Sequence, residues 1–152
     1  MEHINYSVKA FDELSGAEVY QIGQLRQQVF IIEQDCNYLD FDGRDLHALH
    51  LLAKNDKNEL VGYCRLLPQN VVYPNENSIG RVVNSKAVRG QGIGRKMMEI
   101  AIKTCHEQLG KITIRISAQD YLVKFYQSLG FIATDTRYLE DNLPHTEMYL
   151  PY

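Results

Sequence analysis

The spacing of apolar residues divides the chain into an ordered series of elements. Residues 4–11 alternate loosely and predict a first strand. Ser15-Gly16-Ala17-Glu18 has the form of a capping box, with Leu14 and Val19 placed as a hydrophobic staple. The helix it opens carries Val19, Ile22, Leu25, Val29 and Phe30 on one side and sets Gln21, Gln24, Arg26 and Gln27 largely on the other. A loop over 33–45, rich in acids and aromatics, leads to a strand over 48–53. Asp56-Lys57-Asn58-Glu59 then turns the chain into a hairpin with a strand over 60–67. A polar, proline-marked loop over 68–77 precedes a strand over 78–84. Ile93, Met97, Ile100, Ala101, Thr104, Cys105 and Leu109 follow at helical spacing, closed by Gly110. The clearest period of two is 111–117, with Ile112, Ile114 and Ile116 on one face. A long helix joins that strand to 78–84, so the two are expected to run parallel through a right-handed crossover. A helix over 118–129 ends at Gly130, and strands over 131–138 and 146–150 flank a turn at Asp141-Asn142. Strand, hairpin and strand make the first half antiparallel, and the whole predicts an α+β fold with mixed strand directions.

Chemistry concentrates where a strand gives way to the central helix, at Arg89-Gly90-Gln91-Gly92-Ile93-Gly94-Arg95-Lys96. A helix N-terminus carries unpaired N–H groups and partial positive charge, so cations there are unfavourable unless an anion binds. Arg89, Arg95 and Lys96 crowd this end, and no acid follows before Glu99. Three glycines let backbone N–H groups close around phosphate oxygens, which suits a pyrophosphate. Two commoner loops fail on spacing. The dinucleotide fingerprint needs glycine where Arg95 stands, and the nucleoside-triphosphate loop needs Ser or Thr where Met97 follows Lys96.

What remains, Arg89 to Gly94 in the form [RQ]-x-x-G-x-[GA], resembles the turn with which GCN5-related N-acetyltransferases hold the pyrophosphate of acyl-coenzyme A. About 25 residues later, Gln119-Asp120-Tyr121-Leu122-Val123-Lys124-Phe125-Tyr126-Gln127-Ser128-Leu129-Gly130-Phe131 resembles that superfamily's N-x-x-A-x-x-[FL]-Y-x-x-x-G-F helix. Gln119 replaces the common Asn, and Val123 sits where the formula is loose; Gln donates and accepts as Asn does. The run Leu25 to Gln34, the His50 strand, and Asp141-Asn142-Leu143-Pro144-His145 with Met148 resemble the ElaA-like branch.

The resemblance spans most of the chain and implies a mixed, mostly antiparallel sheet of about six to seven strands flanked by helices. Acyl-coenzyme A would enter where the strands over 78–84 and 112–117 splay apart. Backbone groups of Val82 and Val83 would hold its pantetheine arm, the turn Arg89, Gly90, Gln91, Gly92, Ile93, Gly94 with Arg95 its pyrophosphate, and Gln119 would join the binding set. Tyr126 would stand near the sulfur as the acid that protonates the departing thiolate, a phenol being protonated at neutral pH. The Val82 N–H would polarise the carbonyl oxygen.

Residues 79–84 hold no carboxylate, so Glu33, His50 and His145 are left as bases, with Glu33 favoured. Arg65 and Arg81, on adjacent strands, either bind an acidic group of the acceptor or pair with the acids of the 33–45 loop. His50 and His145 are also acceptor-side candidates.

Composition narrows the rest. The chain's 152 residues, 45% of them hydrophobic, suit one acetyltransferase domain over 1–152. A formal charge of −3 argues against a general nucleic-acid binder. No leader is expected, and no apolar stretch approaches membrane-spanning length. Cys36, Cys64 and Cys105 lack metal-type spacing and point to a reducing cytoplasm, and His47 and His50 would face opposite ways on a strand, so no metal is expected. The expected activity is acetyl transfer from acetyl-CoA to a small-molecule amine or a peptide, with a homodimer left open. A non-catalytic acyl-coenzyme A sensor is the alternative. A Cys36 thiol enzyme is disfavoured, because the surrounding acids oppose a thiolate.

Overall fold

In the computed structural model, which describes residues 3–152, the seven strands form one sheet. They are β1 (Asn5–Ala10), β2 (Leu49–Lys54), β3 (Leu60–Leu67), β4 (Asn77–Asn84), β5 (Ile114–Gln119), β6 (Ile132–Glu140) and β7 (Leu143–Leu150). Their order is β1-β2-β3-β4-β5-β7-β6, antiparallel throughout except for the β4–β5 pair. The helices are α1 (Gly16–Arg26), α2 (Ile93–Thr104) and α3 (Val123–Ser128). Both longer helices run on into a wider, π-type turn, to Glu33 and to Leu109.

The capping box at the head of α1 forms in both directions: Glu18 N–H donates to Ser15 Oγ at 3.1 Å, and Ser15 N–H donates to Glu18 Oε1 at 2.9 Å. Glu18 does more than cap. Its carboxylate also accepts from Lys9 of β1 and Lys54 of β2, each at 2.9 Å, tying the helix to the sheet.

The two faces of the sheet are covered unequally. On one face, Met97, Met98 and Ala101 of α2 and Tyr126 of α3 pack on Leu51, Cys64, Ile79, Ile114, Ile116 and Met148, reaching across β2 to β7. On the other face, Ile22, Leu25, Val29 and Phe30 meet Leu52, Tyr63 and Val83, so the cluster under α1 stops at β4. Burying each such side chain contributes about 1.5–3 kcal/mol. Beyond β4 this second face is polar: Arg115, Ser117 and Gln119 of β5 lie opposite Tyr149, Glu147 and His145 of β7.

Three expectations change. The strand predicted from 111 begins at Ile114 and runs on to Gln119, because Ala118 continues the buried series of Ile114 and Ile116 and pairs with Thr146. The helix predicted from 118 therefore starts only at Val123, after a short turn. Arg26, assigned to the polar side of its helix, is 0% exposed. It lies between Asp40 and Asp45, each at 2.7 Å, so paired carboxylates satisfy its charge inside the protein.

Among the described residues no helix is long and apolar enough to cross a membrane.

Candidate active site

The site begins with a failure of pairing. β4 and β5 share only the pairs Asn77–Ile114 and Ser78–Arg115, after which the strands separate. Asn77, fully buried, pins the root of the fork: its N–H donates to the Thr113 carbonyl at 3.1 Å and its side-chain amide to the Gly110 carbonyl at 3.3 Å. Just above the fork β4 bulges. Tyr63 pairs with Val83 and Arg65 with Gly80, so Arg81 and Val82 together oppose the single residue Cys64. A bulge leaves one residue out of the ladder and re-aims its backbone groups. Arg81 takes the strain, with a left-handed φ of 51° that a non-glycine residue rarely adopts.

The fork opens into a cleft of about 770 Å³. At one end stands the glycine-rich turn. Gly92, with φ 79° and ψ 7°, is the N-cap of α2, and no side chain caps that end. A Cβ on Gly90 or Gly92 would meet no protein atom within 4 Å, so both positions border open space. A Cβ on Gly94 would come 3.0 Å from the Asn84 side chain, so that position needs glycine for close approach of helix and strand. Arg95 stacks over Phe125 at 5.8 Å and bonds Ser128 Oγ, bridging α2 to α3. Arg89, also exposed, reaches the Asn84 carbonyl at 3.3 Å. The first turn of α2 holds no acid. Uncapped amides, two glycines open to the cleft and flanking arginines fit the diphosphate of a coenzyme. Gln91 bonds the Ala87 carbonyl at 3.5 Å, and Ile93 turns its side chain into the core, so only its backbone faces this end.

Tyr126 forms part of the cleft wall and is 6% exposed, held edge-on between Phe125 and Phe131. Burial above all, with the neighbouring Cys64 and Tyr121, pushes its phenol well above the ordinary range. It stays protonated at neutral pH, and burial makes it a weaker acid than an exposed tyrosine.

Residues 24–151 match the family model described as an acetyltransferase (GNAT) domain. The chain belongs to the GNAT acetyltransferase family. Within it the resemblance is to the ElaA branch: protein ElaA of Escherichia coli is 41% identical over 144 residues, covering 90% of this chain and 89% of ElaA. The crystal structure of ElaA superposes with a TM-score of 0.90 at 37% identity, over 97% of this chain and 99% of that one. An acyl-CoA N-acyltransferase from Pseudomonas aeruginosa gives 0.89 at 37% identity, again over 97% and 99%. A more distant aminoglycoside 6'-N-acetyltransferase, solved as a complex with coenzyme A, shares the fold at a TM-score of 0.71 and 18% identity, over 95% and 96%.

In this GNAT chain the remaining candidates scatter. Glu33 lines the cleft, but at the glycine-rich end, where its carboxylate pairs with Arg89 Nη1 at 2.7 Å. His50 does not line the cleft. Its ring is 1% exposed, with Nδ1 2.6 Å from the Tyr63 hydroxyl and Nε2 donating to the Asp45 carbonyl at 2.9 Å. Burial holds its pKa below the ordinary value, so it stays neutral, a packing residue rather than an acceptor ligand.

Of the two readings of Arg65 and Arg81, the structure has the pairing. Arg65 binds Asp42 at 2.7 Å and Asp45 at 3.1 Å; Arg81 lies 2.8 Å from the Asp40 carboxylate and donates to the Asp40 carbonyl at 3.1 Å. With Arg26 these form a network of three arginines and three aspartates that clamps the 40–45 loop to the sheet. Arg65 beside Asp42 holds that carboxyl far below its usual range, against the opposing effect of burial.

The polar end of the cleft is built from Gln119, Ser117, Tyr138 and His145, on the polar face beyond β4, so Gln119, which the resemblance assigns to the coenzyme set, stands here against Gln34. The segment after α1 roofs it: Gln34 and Gln119 exchange contacts at 3.4–3.5 Å, and Cys36 Sγ donates to the Asp141 carbonyl at 3.5 Å. Sequence reasoning missed Ser117, Tyr138 and Gln34. Period-two spacing from Gln119 leads to Ser117, and the two-residue turn at Asp141-Asn142 fixes Tyr138 opposite His145.

Proposed function

We propose that the chain is an acyl-CoA-dependent N-acyltransferase, moving an acetyl group directly from acetyl-CoA to a primary amine in a ternary complex. The observation that carries this is the fork: two parallel strands that part beside a bulge, with an uncapped, arginine-flanked helix end at one side and a buried tyrosine in the wall. The P. aeruginosa relative's description as an acyl-CoA N-acyltransferase, and the coenzyme A complex of the distant aminoglycoside enzyme, support it.

Acetyl-CoA supplies the activated carbonyl as a thioester. Gly90, Gly92 and Gly94 would offer backbone N–H groups to its diphosphate, aided by Arg89 and Arg95, with Val82 and Val83 along the pantetheine. The Val82 N–H would donate to the carbonyl oxygen as negative charge develops there, an effect worth on the order of 10²–10³ in rate for one such donor. Tyr126 would hand its hydroxyl proton to the sulfur. A reducing cytoplasm suits three free, buried cysteines.

The deciding experiment is Tyr126→Phe. Calorimetry should show coenzyme A bound as in the parent, while amine-dependent thiol release falls by roughly 10²-fold or more. Unchanged thiol release would remove Tyr126 from the reaction; absence of any thiol release in the parent, with binding kept, would mark a sensor.

A further inference from the structure

The acyltransferase reading leaves a proton without a destination. An alkylamine arrives protonated at neutral pH, and two protons must leave its nitrogen before the amide is formed. Glu33 is engaged with Arg89 at the phosphate end, His50 lies outside the cleft, and the lining stretch 79–84 holds no carboxylate. His145 is different. It sits on β7 opposite Gln119 of β5 and Tyr138 of β6, its side chain 8% exposed and its ring within 14° of parallel to the Tyr138 ring.

The ring's hydrogen bonding selects its tautomer. Nδ1 lies 2.7 Å from the Leu143 carbonyl, which can only accept, so Nδ1 carries the hydrogen. The neutral ring then presents its lone pair at Nε2. Among the described residues no donor reaches Nε2; its neighbour is the Glu140 carboxylate at 3.5 Å, which cannot donate to it. A lone pair that reaches the cleft, beside a negative charge and lacking a donor, calls for an incoming N–H.

We propose that His145 takes the acceptor's proton, with Glu140 stabilising the imidazolium and the Leu143 carbonyl fixing the ring. The proposal rests on the acyltransferase reading. Nε2 takes one proton from the ammonium, and the freed lone pair of the amine forms the C–N bond. The C–S pair leaves on sulfur, which receives the Tyr126 proton; the second nitrogen proton restores the Tyr126 hydroxyl. His145 then releases its proton to water, so one thioester and one ammonium become one amide, one thiol and one released proton. The other ionisable groups around the ring are Tyr138 and Glu140 of β6, Asp141 in the turn, and Asp120, which Thr146 and Arg137 hold.

The test begins with histidine-selective carbon and nitrogen NMR on the parent protein near neutral pH. His145 should show the Nδ1–H tautomer with Nε2 unprotonated; an Nε2–H tautomer overturns the proposal. With acetyl-CoA and n-butylamine, His145→Gln should lower kcat roughly 10²-fold at neutral pH and leave the acetyl-CoA KM unchanged. Its acidic limb should move up toward the pKa of the free amine, so the deficit shrinks as pH rises. Glu140→Gln should shift the parent's limb to lower pH, since losing a carboxylate disfavours imidazolium. An unaltered pH profile in His145→Gln overturns the proposal. Coenzyme A uptake is read on the same samples: its loss in the parent would strike the acyltransferase reading, whereas uptake with an unmoved profile would strike His145 alone.

Discussion

The two ends of the cleft are built from different materials. The glycine-rich end comes from one contiguous run, 89–95, and offers backbone amides, glycine conformations and two exposed arginines. The polar end comes from five separate segments, with Gln34, Arg81, Gln119, Tyr138 and His145 meeting only in the folded chain. A backbone-built site is fixed by the helix head and tolerates changes in neighbouring side chains. A side-chain site stands or falls with the contacts that orient it, here Gln34 on Gln119, Tyr138 on Ser117 and the Leu143 carbonyl on His145, with Arg81 held by Asp40 and Asp42.

The largest blow to the contrast should come from Arg26→Ala. Removing a fully buried guanidinium breaks two buried ion pairs and leaves Asp40 with Arg81 alone and Asp45 with Arg65 alone, and denaturant unfolding should show a loss of about 3–5 kcal/mol. Arg95→Ala at the other end should change stability by only about 0.5 kcal/mol while weakening coenzyme A uptake. Next in size is Gly92→Val, which meets no protein atom but must hold a φ of 79°. Thermal or chemical melts should show a cost of about 1–2 kcal/mol, and calorimetry a fall in coenzyme A affinity on the order of tenfold or more.

Acid should loosen the α1 side before the phosphate turn. Burial alone would raise the Glu18 pKa, but the Ser15 amide, Lys9 and Lys54 outweigh it and bring the carboxyl down from 4.5 to about 2. A depressed folded pKa stabilises above the unfolded value, and that contribution drains away as pH falls from about 4.5 toward 2. Asp42, also depressed, adds to the same loss. Hydrogen exchange should therefore rise in α1 and the 40–45 loop before it rises at the head of α2. The smallest effect is the most discriminating: Glu33→Gln frees Arg89 from an exposed pair and should tighten coenzyme A binding by about threefold with kcat unchanged. A collapse of kcat would instead return Glu33 to the role of base.

The same contrast explains how much the sequence disclosed. The antiparallel first half and the parallel pairing across the central helix rest on periodicity, and the fold bears them out; the glycine-rich turn stands at the head of that helix, as its spacing predicts. The polar end did not announce itself. Arg26 carries no local mark of burial, because what buries it lies 14 and 19 residues further on. His50 and His145 look equivalent as letters; only the partners of their ring nitrogens separate a saturated histidine from one with a vacant lone pair.

The left-handed turn at Arg81 has a mechanical corollary. The guanidinium of the residue bearing the distorted backbone is gripped by Asp40 and Asp42, so the acidic loop and the bulged strand are bound into one unit. Because two residues of β4 stand against one of β3 there, the bulge can be removed only by slipping the register, and the grip on Arg81 opposes that slip.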